Sequence, residues 1–184
     1  MQTNSWMVRK VVGEKLLPSK THILDLGCGE GQDALTLAML GHEVDAVDRH
    51  RDSIATLTQR SRNWKINTFN QTIESFSITP GQYGAIIANN SLPFLNSKVA
   101  VELKIKEMFT GVRAEGILAL SLFGPRDGWF NCTKMSFFEY DEALKIIENT
   151  GGKIYYQSQE EGYGLTMQRR LKFWHIFRFI LIKK

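Results

Sequence analysis

The chain has 184 residues, 43% of them hydrophobic and 23% charged, the balance of an ordinary globular protein long enough for one domain with a real core. Its net charge of +4 is spread along the sequence, with enrichment only at Arg169, Arg170, Lys172, Arg178, Lys183 and Lys184, too weak a bias to point to nucleic acid. Two cysteines, Cys28 and Cys132, and four histidines show neither a disulfide framework nor metal-ligand spacing, no apolar run is long enough to span a bilayer, and Met1 to Lys10 has no apolar core of a signal peptide, so the expectation is a soluble cytoplasmic protein without a structural metal.

In chain order, a helix over about Ser5 to Leu16 precedes the first strand, His22 to Leu26, an apolar run that ends in glycines as a buried parallel strand does. Gln32 to Leu40 carries Ala34, Leu35, Ala38 and Met39 at helical spacing, with Gly41 just past its end where a left-handed cap is wanted. Glu43 to Val47 is the second strand and Asp48 stands at its tip. The next helix begins near Asp52 or Ser53, either able to cap it, and turns Ile54 and Leu57 inward. Thr68 to Ile73 is the third strand and Gly84 to Ala88 the fourth. Ser97 to Phe109 has the spacing of an amphipathic helix, and Gly116 to Phe123 is the fifth strand. After a loop over 124–134 comes a helix from about Asp141 to Asn149, capped by Asp141 and stopped by Gly151 and Gly152. Lys153 to Glu160 and Trp174 to Ile182, joined by the linker Glu161 to Gln168, close the chain as an antiparallel pair. Five βα units and that pair predict a single α/β domain over 1–184, a doubly wound, mostly parallel seven-stranded sheet with helices on both faces.

In such a sheet, ligands bind beyond the C-terminal ends of the strands near the switch in strand order. The first of these ends is Gly27-Cys28-Gly29-Glu30-Gly31, where glycines let the backbone turn sharply and the following helix offers unpaired N–H groups. A dinucleotide fingerprint needs a glycine at 32, where this chain has Gln32, so the spacing Gly-x-Gly-x-Gly disfavours a nicotinamide cofactor. Asp48 ends the second strand 21 residues after Gly27, where a carboxylate can accept both hydroxyls of a ribose. A turn and a helix cap would explain these parts singly. Their joint occurrence points to a nucleoside-cofactor site.

The run Ile23 to Gly31, followed by Val44 to Asp48, resembles motif I and its downstream acid in class I S-adenosylmethionine (SAM)-dependent methyltransferases. The resemblance continues through Tyr83 to Asn89, Gly116 to Phe123 and the terminal strands. Within that superfamily the chain is most similar to the small tellurite-resistance methyltransferases, through Asp45 to Arg49, Asp52 to Ala55 and the Phe-rich segment before Asp141. It implies that Gly27, Cys28 and Gly29 pack against the methionine part of SAM, with Asp25 orienting its ammonium through water. Asp48 would hold the ribose and Arg49 would lie against adenine, whose edge meets Thr72 and Ile73. Asn89 and Asn90 would sit near the methionyl group. Two departures stand out: Thr72 replaces an acid common in relatives, for which Glu74 can substitute, and Gly84 follows Tyr83 where relatives often have aspartate. The segment Asn89 to Phe94 differs from the Asn-Pro-Pro-aromatic motif of amino-group nucleic-acid methyltransferases, and Pro93 and Phe94 read as a structural anchor.

Asn89, Arg126 and Trp129 are the candidate catalytic residues. In the 124–134 loop, Arg126 could neutralise an anionic acceptor while Trp129 and Phe130 shut out water, or the aromatics could simply pack in the core. Trp6 and Arg9 are read as surface-helix residues, His175 as a satisfied structural histidine and Cys132 as a loop thiol. SAM carries an already activated methyl group, so positioning and exclusion of water can supply much of the catalysis. The reading is therefore methyl transfer to a small molecule, with a metalloid oxyanion such as tellurite or selenite as the implied acceptor. The alternatives are an RNA or protein methyltransferase and a non-catalytic SAM-binding regulator.

Overall fold

The computed structural model describes residues 5–166 and 168–184. Its elements run α1 (Trp6–Gly13), β1 (His22–Leu26), α2 (Gln32–Met39), β2 (Glu43–Asp48), α3 (Arg51–Arg60), β3 (Ile66–Asn70), β4 (Tyr83–Ala88), a 3-10 turn (Leu92–Phe94), α4 (Lys98–Gly111), β5 (Val112–Phe123), α5 (Tyr140–Glu148), β6 (Lys153–Leu165) and β7 (Leu171–Ile182). The strands form one seven-stranded sheet in the order β3-β2-β1-β4-β5-β7-β6. The first five pair in parallel, and β7 enters antiparallel between β5 and β6. This is the expected doubly wound sheet with its antiparallel addition.

Strands β1, β2 and β4 are buried almost throughout, because both faces of the sheet are covered. Alternate residues go to opposite faces. Ile23, Ala85, Ile87 and Ala119 pack beneath Met7, Val11, Ala34, Leu37 and Leu57 of α1, α2 and α3. Leu24, Ile86, Leu118 and Leu120 pack beneath Val101, Ile105, Met108 and Ile147 of α4 and α5. β1 has β2 on one side and β4 on the other, so the order reverses there and opens a crevice at the ends of β1 and β4.

Several boundaries differ from the sequence reading. The first helix is shorter, because Ser5 caps it by accepting from the Val8 N–H and it ends at Gly13. α3 starts at Arg51 behind His50, with neither Asp52 nor Ser53 as its cap. α5 starts at Tyr140, one residue before the expected cap, because Glu139 and Glu142 form a reciprocal capping box. β3 covers Ile66 to Asn70, so Thr72 and Ile73 lie past its end. There Thr72 Oγ1 accepts from the Ser75 N–H at 3.2 Å and its carbonyl from the Phe76 N–H at 3.1 Å, which turns the chain. β3 connects to β4 without a helix, leaving four βα units rather than five. β5 begins four residues early, at Val112, β6 runs through most of the expected linker to Leu165, and β7 starts three residues early, at Leu171, which pairs with Leu165. Met167 of that linker lies outside the described residues. No described helix is long and apolar enough to cross a membrane.

Candidate functional site at the glycine loop

The glycine loop leaves β1 at the switch point. Gly27, Gly29 and Gly31 all have positive φ, which favours glycine. At two of them packing adds a second demand. A Cβ on Gly27 would stand 2.3 Å from Ser91 Cβ, and one on Gly31 would stand 2.2 Å from Leu57 Cδ1. Ser91 Oγ donates to the Leu26 carbonyl at 2.6 Å and so clips the β4 exit to the β1 exit.

Asp48 fastens the loop from β2. Its Oδ2 accepts from the Gly29 N–H at 2.9 Å and its Oδ1 from the His50 N–H at 2.8 Å. His50 Nδ1 also lies 3.1 Å from Oδ1, so of the roughly four acceptor positions of an ionised carboxylate the one left for a further donor is on Oδ2. Arg49 follows, with its guanidinium 6.0 Å from the Phe94 ring. Thr72 and Glu74 are exposed on the turn after β3, while Ile73 is half-buried and reaches toward Gly27.

A second group of side chains lies under the other wall of the loop. Asp25, 2% exposed, accepts from the Ala34 N–H in the first turn of α2, yet its Oδ2 is buried with no hydrogen-bond partner among the described residues. Burial, and then the negative charge of Asp33, hold the Asp25 carboxyl well above the ordinary carboxylate range. Asp33 is itself buried, and its Oδ2 accepts from Ser5 Oγ at 2.8 Å and from Asn89 Nδ2 at 3.2 Å. Asn89 Nδ2 also reaches Ser5 Oγ at 3.1 Å. Sequence reasoning did not single out Asp33 or Ser5. The one signal was a carboxylate in the first turn of the helix behind the glycines, which the helix dipole explains without a ligand. Cys28 is half-buried, and burial pushes its thiol far up, away from thiolate chemistry.

Asn90 has φ of 56°, a left-handed conformation uncommon outside glycine. Fully buried Ser121 on β5 holds it there: Ser121 Oγ accepts from the Asn90 N–H at 2.7 Å and donates to Asn90 Oδ1 at 3.0 Å. Asn89 thus meets Asp33 and Ser5 at the end of β4, the strand paired with β1 through Asp25 and Ile87.

The segment after β5 is fixed to β7. The Gly124 and Gly128 N–H groups donate to the carbonyls of His175 and Phe173, both at 2.8 Å. Asp127 accepts from Lys172 Nζ, from the Trp129 N–H and from the His175 N–H. The Lys172 ammonium lies 3.5 Å from the Trp174 ring centroid, 3.9 Å from that of Trp129 and 4.5 Å from that of Phe123. Trp129 also meets Phe94 edge-on, with centroids 5.9 Å apart. Its ring belongs to the small core of Phe123, Phe137 and Ile176, so packing accounts for Trp129, while Phe130 is half exposed. Pro93 is buried as an anchor, but Phe94 faces outward. Arg126 pairs with Glu161 on β6, and its backbone N–H donates to His175 Nδ1 at 3.1 Å. His175 is buried and satisfied. Trp6 packs at a tilt against Tyr156 of β6, with centroids 5.0 Å apart.

The family model described as tellurite resistance protein TehB matches residues 6–156. The chain is 30% identical over 115 residues to the probable SAM-dependent methyltransferase TehB of Haemophilus influenzae, covering 61% of this chain and 40% of that protein. It is 34% identical over 107 residues to the putative methyltransferase YqeM of Bacillus subtilis, covering 57% and 43% respectively. The chain therefore spans less than half the length of these curated relatives. The crystal structure of TehB from Haemophilus influenzae superposes with a TM-score of 0.77 at 22% identity, over 95% of this chain and 62% of that one. A SAM-dependent methyltransferase from Methanosarcina mazei gives 0.77 at 20% identity, over 94% and 96%.

Proposed function

From its membership of the tellurite resistance protein TehB family, to which the chain belongs, we propose that it is a SAM-dependent methyltransferase acting on a small-molecule acceptor. The observation that carries this reading is the buried Asp25 carboxyl beside Asp33, with one oxygen unmatched, at the switch-point crevice. A cationic ligand group fits this donor set, because it would satisfy the orphan oxygen and relieve the crowding of negative charge. The α-ammonium of SAM is such a group. The acceptor position left on Asp48 Oδ2 suits a ribose hydroxyl, and Arg49 with Ile73 supplies an adenine-facing wall.

When bound, SAM supplies a methyl group already activated on a sulfonium. The chain's own residues then have three tasks. Asp25 and Asp48 fix the two ends of the cofactor. Asn89 and Asn90, the latter locked by Ser121, shape the end of β4 where an acceptor would approach. Phe94 and Trp129 restrict water at the rim. An acceptor that arrives with a free anionic lone pair needs no proton removed, which suits reduced chalcogenide anions, thiolates and metalloid oxyanions. Tellurite and selenite are the first acceptors to try, on the strength of the family description. Arg126 is a weaker choice for meeting an anion, since Glu161 already neutralises it.

Calorimetry with SAM and S-adenosylhomocysteine tests the cofactor. Asp48→Ala is expected to lose at least about tenfold in affinity, the scale of one or two lost hydrogen bonds to a charged group. Binding of NADH without any response to SAM would overturn the assignment. A labelled-methyl screen over tellurite, selenite, thiols, small acids and RNA tests the acceptor, and label retained only on RNA would end the small-molecule reading.

A further inference from the structure

The first helix is tied into the candidate site at one point. Ser5 is its N-cap, accepting from the Val8 N–H, and the same hydroxyl donates to Asp33 Oδ2 and accepts from Asn89 Nδ2. Three separate elements, α1, α2 and the end of β4, therefore meet on one oxygen atom, with Asn89 Nδ2 also reaching Asp33. Beside them lies the unmatched Oδ2 of Asp25, buried and raised in pKa. A serine whose task was only to cap a helix needs no carboxylate 28 residues away.

We propose that Ser5 and Asp33 are positioning residues for the amino-acid end of the cofactor. This rests on the SAM reading above. Asp33 shares the ammonium with Asp25, and the Ser5 hydroxyl holds the Asp33 carboxylate in place. Because that hydroxyl is also the cap of α1, occupation of the site tightens α1 onto the sheet. An ammonium placed between the two carboxylates turns their repulsion into attraction, and the hydrogen bonds at Ser5 and Asn89 then brace a neutralised cluster.

The experiment compares two ligands that differ only at this end. S-adenosylhomocysteine carries the amino acid, whereas 5′-methylthioadenosine keeps the nucleoside and thioether without it. Ser5→Ala and Asp33→Asn are expected to lose roughly five- to tenfold in S-adenosylhomocysteine affinity, the scale of one charge-assisted hydrogen bond, with methylthioadenosine affinity unchanged. Ser5→Thr, which keeps the hydroxyl and the cap, restores binding. In the unsubstituted protein S-adenosylhomocysteine slows amide exchange in α1 and methylthioadenosine does not. Ser5→Ala removes that difference. Equal losses for both ligands, or no loss for either, would overturn the proposal and leave the cofactor assignment standing. If the unsubstituted protein binds neither ligand, the cofactor assignment fails and this proposal falls with it.

Discussion

Burial and the charge of Asp33 favour the protonated form of Asp25 in the ligand-free fold. A carboxyl whose pKa is raised on folding contributes stability that is fully present below its unfolded value and is lost as pH rises through the folded one. Asparagine keeps the shape and one acceptor for the Ala34 N–H but cannot ionise. Asp25→Asn is therefore expected to melt above the parent at neutral pH, with the gap closing as pH falls toward about 4, the ordinary carboxylate range. On the proposed cofactor reading, the same variant is expected to bind S-adenosylhomocysteine more weakly, by calorimetry. Melting curves across that range check the first point, and a gap that does not change with pH would refute the cause given. Asp25, Asp48 and the glycines were legible in the sequence because each has a fixed place at or just past the C-terminal end of a strand. Asp33 and Ser5 were not. Each has an ordinary explanation at a helix start, and only the fold brings them within 2.8 Å.

The segment after β5 behaves as an extension of β7, fastened by Asp127. Its ion pair with Lys172 is buried, with the lysine side chain 4% exposed and the carboxylate fully enclosed. Burial lowers the Lys172 pKa, against the opposing effect of Asp127. Lys172→Met is expected to cost about 3–5 kcal/mol, because it leaves the Asp127 charge buried without its cation. Adding Asp127→Asn should recover part of that loss, with both read from denaturant unfolding. A single variant as stable as the parent would mean the pair is not holding the segment. Sequence reading left this segment open between a lid and a packed loop, since Lys172 looked like one of several C-terminal basic residues. The antiparallel C-terminal pair was legible, but its length was not. Gly162 and Gly164 suggested a linker, yet both lie in β6 and pair with β7. β3 was placed too late because half-exposed residues gave its true span, Ile66 to Asn70, no clear alternation.

At the scale of the whole sheet, the parallel strands were legible as short apolar runs, and the glycines after β1 located the ligand-binding end of that strand. What pattern alone could not give was where the last strand goes. β7 is the seventh strand in chain order but lies inside the sheet, paired with β5 on one side and β6 on the other. Its Phe177, Phe179 and Leu181 complete the core on the α4 and α5 face, and Ile180 the core on the opposite face. A chain ended before Leu171 is expected to lose its cooperative thermal transition, and a sharp, parent-like transition by circular dichroism would contradict this. The position of β7 also bears on the order of synthesis. On a ribosome, β1 to β4 emerge early with their partners, but β5 waits for a neighbour encoded almost sixty residues later. Until then β5 is an apolar edge exposed to other chains, so the interval between making β5 and making β7 is when this protein is most in need of a chaperone.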